Sequence, residues 1–194
     1  AIGISFLLEN AAQMIFGAGA QVIPPFFTVP NASIGQVEIP GTAIVTVAVT
    51  ALSMVALTLL IQKTKMGKAM RAVSEDTGAA QLMGININRT ISFTFAIGSA
   101  LAGIGSVLYC TAYPQATATM GSMLGLKAFV AAVLGGIGSI PGAMIGGFAI
   151  GLAEALVSAA GLSVWKDGVV FAILIVVLLV KPTGILGRSM SEKV

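Results

Sequence analysis

The sequence predicts an all-α membrane protein, a polytopic transmembrane helical bundle with about five to six membrane segments. Three observations predict it. Hydrophobic residues make up 57% of the 194-residue chain and charged residues 9%. A soluble domain carries about 25% charge, and so few ions could not cover its surface. Long apolar stretches recur between short polar breaks, and the charges fall mainly at the edges of those stretches, where a bilayer meets water. A mean hydropathy of +1.01 and 24 glycines agree, since glycine is more frequent in membrane helices than in soluble ones.

The first apolar stretch covers about residues 2–23 and carries Glu9, Asn10 and Gln13. Glu9 and Gln13 share a helix face at i, i+4. Facing lipid would be costly for them, so they are expected toward the bundle interior as candidates for a translocation path. Residues 24–41 form a break, with turn chemistry at Pro24-Pro25, Pro30-Asn31 and Pro40-Gly41. A second span over 42–61 holds no charge, and at ~1.5 Å per residue it crosses a ~30 Å core. The charged loop 63–89 follows, then a third span over 90–109 and a looser stretch at 110–126. Residues 128–153 are free of charge but interrupted by the run from Gly135 to Gly142. The last span covers 165–181, with Trp165 at one interface and Lys181 snorkelling to the other.

Basic residues set the orientation. Lys63, Lys65, Lys68, Arg71 and Arg89 make the loop 63–89 cytoplasmic, and Lys181, Arg188 and Lys193 do the same for the tail. The break at 24–41 has no Lys or Arg and is external. The region 128–160 must then start and end outside, reversing at the Gly-rich run. Lys127 is external, an exception to the rule.

Several chemistries are excluded. The chain has no histidine and one cysteine, Cys110, so it has no His-based triad, no His-ligated metal and no internal disulfide. No cofactor or metal is expected. The net charge of +3 sits at membrane-flanking positions and does not indicate nucleic acid. Gly121 to Ala128 lacks the spacing of a phosphate-binding loop, so energy for transport must come from a partner. The Asn-x-Ser/Thr matches at Asn31 and Asn88 are chance hits. The opening Ala1-Ile2-Gly3-Ile4 is not a signal peptide, and the chain is expected to be a fragment of a longer protein with further N-terminal helices.

The loop 63–89 carries the clearest functional pattern. Met66, Ala69, Met70 and Val73 recur at i, i+3, i+4, i+7, with Lys65, Lys68 and Arg71 off that apolar face. Asp76 is placed to cap a second short helix and Gly84 to end it, with Ala79, Leu82 and Met83 on one side. Such a helix can dock in a groove of another protein and carry motion into the bundle. The same pattern fits an amphipathic helix lying on anionic lipid.

Two further features keep alternatives open. Glu154 follows Gly147 and Gly151 at i, i+4, i+7 on a small-residue face suited to close helix approach, as is Gly142-x-x-x-Gly146. It either lines a path, pairs with a cation of another helix, or sits solvated near the external interface. Gly135, Gly136 and Gly138 either open a broken helix onto a cavity or form a tight turn at the cytoplasmic face.

The sequence as a whole resembles the permease subunits of branched-chain amino-acid ABC importers, closest to the LivH type of the paired permeases. The resemblance is carried by the run from Met66 to Ala72, Glu75-Asp76, Leu82 to Asn86, Gly125 to Ala143, Glu154-Ala155-Leu156, Lys166-Asp167 and Pro182 to Gly187. It runs the length of the chain and implies an ABC importer permease fold, with residues 1–194 as one transmembrane domain. Ala79-Ala80-x-x-x-Gly84-Ile85 is similar to the core of the family's "EAA" loop, which implies coupling to an ATPase through Glu75, Asp76, Ala79, Ala80, Gly84 and Ile85. The usual Glu of that loop is replaced by Gly78, and Glu9 stands where an amide is common. The implied partners are a second related permease, two cytoplasmic ATPase subunits and a periplasmic binding protein delivering Leu, Ile or Val, in a bacterial inner membrane. Urea and short-amide importers have similar permeases. Outside the resemblance, an ion-coupled secondary transporter would use Glu9 or Glu154, and a structural membrane subunit would use neither.

Overall fold

The computed structural model describes residues 2–24, 30–34, 37–181 and 183–187. Pro25, Pro182, Arg188 and Lys193, singled out above, lie outside the described residues. In order, the elements are α1 (Ile2–Phe16), β1 (Gln21–Val22), β2 (Ala32–Ile34), β3 (Val37–Ile39), α2 (Gly41–Lys63), α3 (Lys65–Glu75), α4 (Thr77–Leu82), α5 (Ile87–Ala112), β4 (Gln115–Ala116), α6 (Met120–Gly135), α7 (Ile140–Ala159), a 3-10 turn (Ser163–Trp165) and α8 (Lys166–Val180). They form two compact units, one of residues 18–117 and one of 1–17 with 118–194.

In the first unit, the spans expected at 42–61 and 90–109 are longer, by one and two residues at the two ends of α2 and by three at each end of α5. The second, α5, reaches 26 residues, about 39 Å at the helical rise. The start of α2 is fixed by Pro40 and by Asn31, whose Oδ1 accepts from the Gly41 amide at 3.3 Å. Asn86 caps α5 by accepting from the Arg89 amide at 3.1 Å. The breaks at either side of the spans hold short strands that the sequence pattern does not announce. β1 pairs antiparallel with β4, Gln21 opposite Ala116, and β2 pairs with β3, Ser33 opposite Glu38.

In the second unit, α1 is shorter than the 2–23 stretch predicts. Gly17 stops it, with φ +89 and its amide bonded to the Gln13 carbonyl at 2.9 Å. Only glycine enters that backbone region freely, and hydropathy does not register it. The looser stretch of 110–126 is also helical at both ends, so Lys127 lies inside α6.

α6, α7 and α8 pack around Val130, Leu134, Ile150 and Val170. Glycine sets how closely α6 and α7 approach. A Cβ on Gly142 would meet the backbone of Gly135, and one on Gly146 the backbone of Ala131. The contact face is therefore Gly142, Gly146, Ile150 and Glu154, at successive fourth residues. A Cβ on Gly151 would meet nothing and one on Gly147 only the Ala131 methyl, at 4.0 Å, so of the two small faces expected, that of Gly147 and Gly151 is not the seam and that of Gly142 and Gly146 is.

The reversal between α6 and α7 is a tight turn. Gly136 and Gly138 have φ +105 and +90, and Ser139 caps α7, accepting from the Gly142 amide at 3.2 Å. The last carbonyls of α6 are not left open. Ile185 donates to Leu134 O at 2.9 Å and Leu186 to Gly135 O at 3.0 Å. The segment following α8 thus closes the end of α6, and Gly184 lies against Gly136 where neither admits a Cβ. The turn and the end of α8 share one end of the unit.

α2, α5, α7 and α8 with its leading 3-10 turn are long and apolar enough to cross a membrane, and α6 is a shorter apolar helix. Their outward faces are apolar; Phe95, Phe148 and Leu179 are among the exposed side chains. Patches of that extent are not stable against water and fit a lipid surround.

The seam yields a prediction. Gly146→Leu lowers stability by about 2–3 kcal/mol, read as a lower unfolding midpoint in detergent. Gly151→Leu changes it by no more than about 0.5 kcal/mol.

Candidate coupling site

The loop between α2 and α5 is built with little slack. Thr64 is the single residue between α2 and α3. Its hydroxyl donates to the Leu60 carbonyl at 2.5 Å, and the same oxygen accepts from the Gly67 amide at 3.0 Å. Gly67 is buried because α3 folds back onto the end of α2, and a Cβ there would run into the backbone of Leu60 and Ile61. Sequence reasoning missed both residues. Thr64 carries a weak cap signal, whereas Gly67 in Met-Gly-Lys gives none of its close approach. The half-buried side of α3 is Met66, Ala69, Met70, Ala72 and Val73, in contact with α2 and α5, while Lys65, Lys68 and Arg71 are exposed.

α4 is short and capped at both ends. Asp76 Oδ1 accepts from the Ala79 amide at 3.0 Å. At the other end Gly84 has φ +80, its amide donates to Gln81 O at 3.0 Å, and the Ile85 amide donates to Ala80 O at 3.1 Å. This pair of bonds is the Schellman arrangement, which satisfies carbonyls the helix end would leave open. Ala80 is buried at 4% exposure, whereas Leu82 is 90% and Met83 82% exposed. Ala79 and Glu75 are exposed and Ile85 is half-buried. The six expected coupling residues thus divide between framing the helix (Asp76, Gly84), anchoring it (Ala80, Ile85) and its outer surface (Glu75, Ala79). Gln81, Ile85, Asn86, Ile87 and Asn88 line a shallow open depression beside it.

The candidate path residues fall in the other unit. Glu9, Ala11, Ala12 and Gln13 are the half-buried side chains of α1, and Glu9 accepts a hydrogen bond from the Ser122 hydroxyl of α6. The polar side of α1 therefore faces protein, while Leu8 and Met14 face out. Asn10 is exposed and its amide donates to the Phe6 carbonyl at 2.7 Å. Gly135 and Gly136 are buried in the turn and its contact with 184–187, and Gly138 is exposed.

Glu154 is paired. Lys127 Nζ of α6 lies 2.7 Å from Glu154 Oε1 of α7 and 2.7 Å from Asp167 Oδ1 of α8. Both facing oxygens are shielded from solvent and the ammonium is their partner. One cation so ties three helices, at the end of the unit opposite the Gly135–Ser139 turn. The sequence allowed a cation partner for Glu154 but did not find Asp167, because the three residues are far apart in the chain.

Two predictions test these elements. Lys127→Met leaves two carboxylates facing each other and costs about 2–3 kcal/mol, discounted from the 3–5 of a fully buried pair because all three side chains are partly exposed. Adding Glu154→Gln and Asp167→Asn recovers most of it, as unfolding midpoints in detergent would show. Gly84→Ala destabilises the loop by about 1 kcal/mol through its positive φ, and faster amide exchange in 77–85 is the measurable sign.

Over residues 1–178 the chain matches the family described as the permease component of branched-chain amino acid transport systems. It is 48% identical over 199 residues to the high-affinity branched-chain amino acid transport system permease protein LivH of Escherichia coli (strain K12), covering 100% of this chain and 64% of that protein. Against BraD, the permease protein of the same description from Pseudomonas aeruginosa, identity is 44% over 198 residues, with the same coverage. A probable branched-chain amino acid transport permease protein of Methanocaldococcus jannaschii is 33% identical over 168 residues, 83% of this chain and 53% of that one. The chain thus spans a little under two thirds of the first two relatives. No solved structure matches it. With a family match over most of its length and membrane-spanning helices joined by a doubly capped loop, this chain belongs to the branched-chain amino acid transport system permease family.

Proposed function

We propose that this chain is a permease subunit of an ATP-driven importer for branched-chain amino acids in the bacterial inner membrane, and that α4 is where an ATPase subunit pushes on it. The observation that carries this reading is the build of α4. A six-residue helix is too short to hold itself in water, yet this one is capped at both ends, anchored through Ala80 and left with Leu82 and Met83 in the open. An apolar pair on a rigid mount is suited to a groove in a partner. Force applied there passes to α3, and Gly67 leaves α3 no room to slip on α2.

The rest of the assembly proposed is a second related permease, two ATPase subunits and a periplasmic binding protein, as the resemblance to importer permeases implies. The chain needs no catalytic residue or cofactor of its own for this role. The substrate class follows the relatives' names. A zwitterionic aliphatic amino acid requires little charged chemistry from its path. Glu9 and Gln13 are proposed to border that path where α1 turns its half-buried side to protein, Asn10 to stand beside them on an exposed face, and Glu154 to shape the path through its tie to Lys127.

The test uses the full-length protein with its partners. Leu82→Glu with Met83→Glu lowers retention of the ATPase subunits on an affinity column by more than about tenfold, an apolar hot spot being worth ~2 kcal/mol or more. ATP-driven leucine uptake falls to background while the amount of permease in the membrane holds. ATPase retention and uptake at wild-type levels would reject the reading. Uptake that collapses with a protonophore while ATP stays high would point to an ion-coupled carrier.

A further inference from the structure

α3 presents a second surface, distinct from the apolar pair on α4. Lys65, Lys68 and Arg71 lie at i, i+3, i+6 and are all exposed, and Lys63 closes α2 directly before them. Among the described residues both ion pairs involve Lys127, so none of these four cations has a carboxylate partner. The nearby acids are at the far end of α3: Glu75 is exposed, and Asp76 is engaged in capping α4. Arg89 at the start of α5 adds a fifth cation at the same boundary.

Position decides what the stripe meets. Only Thr64 separates α3 from a membrane-crossing helix, and Gly67 holds α3 against the last turn of that helix. The headgroup layer is about 5–8 Å deep on each side of the hydrocarbon core, and a helix with its side chains is about 10–12 Å across. α3 is wider than that layer but begins at it, one residue past the span, and lysine and arginine side chains reach phosphate from there. Four to eight basic residues just cytoplasmic of a span form a recognised site for anionic lipid.

We propose that Lys63, Lys65, Lys68 and Arg71 bind anionic phospholipid headgroups of the cytoplasmic leaflet, and that this footing holds α3 in the position from which α4 transmits force. The inference rests on the reading under Proposed function, in which an ATPase subunit meets α4 and the loop is therefore cytoplasmic. The apolar pair Leu82 and Met83 then faces the ATPase and the basic stripe faces lipid. Transport consequently depends on the charge of the bilayer as well as on ATP.

The assembled full-length transporter is reconstituted in vesicles of phosphatidylcholine alone and in equal parts phosphatidylglycerol and phosphatidylcholine. ATP-driven uptake by the wild type is several-fold higher in the anionic vesicles, and the gain shrinks as salt rises. Lys65→Gln, Lys68→Gln and Arg71→Gln together remove the gain, each cation being worth about fivefold in headgroup affinity. The charge-keeping set Lys65→Arg, Lys68→Arg and Arg71→Lys retains it, which separates charge from folding. Uptake equal in the two vesicle types would overturn the proposal. So would loss of ATPase retention in lipid-poor detergent by the glutamine set, which would assign the stripe to the protein partner. If the importer reading itself failed, even the wild type would retain no ATPase subunit, a result distinct from either.

Discussion

Hydrocarbon offers no hydrogen bond, so a chain in a bilayer must satisfy its own polar groups. That constraint accounts for most of what is specific in this structure. The last carbonyls of α6 receive the amides of Ile185 and Leu186. Lys127 is neutralised by two carboxylates brought from α7 and α8. The one carboxylate of α1 turns to a hydroxyl on α6. The outward faces of the long helices are apolar, and large side chains stand outward where a soluble protein would bury them. The molecule is packed inward by small residues, with glycine at the closest backbone approaches.

The loop between α2 and α5 meets a different solvent and solves a different problem. Its helices are too short to persist alone, so they are fixed by caps and by a backbone contact. Thr64, Asp76 and Gly84 provide the caps, and Gly67 provides the contact. The outcome is a rigid bracket with two exposed chemistries, one apolar on α4 and one basic on α3. A flexible loop of the same composition could bind a partner, but it would dissipate a push.

Much of this was readable from residues. Charge-free runs gave the spans, because the cost of burying an ion is large and local. Asp76 and Gly84 gave the ends of α4, because cap chemistry depends on the residue itself and its near neighbours. Three kinds of feature were not readable. The end of α1 at Gly17 depends on a backbone angle that hydropathy ignores. The sequence offered both Gly142 with Gly146 and Gly147 with Gly151 for close approach, and the choice of the first pair depends on which face the partner helix takes. The link from Lys127 to Asp167 joins residues distant in the chain, and no local period records it. The Gly135–Gly142 run stood open between a cavity-lining break and a tight turn; its hydrogen bonds to the segment after α8 account for the glycines as a turn.

The central claim is that the outer surface of α4 is covered by an ATPase subunit in the working transporter. The direct measurement is the reactivity of a cysteine placed at Met83 in the full-length protein, with Cys110 replaced, in inverted membrane vesicles. A membrane-impermeant maleimide should label it quickly when the ATPase subunits have been stripped and slowly once they are added back. Equal labelling in the two states would contradict the account.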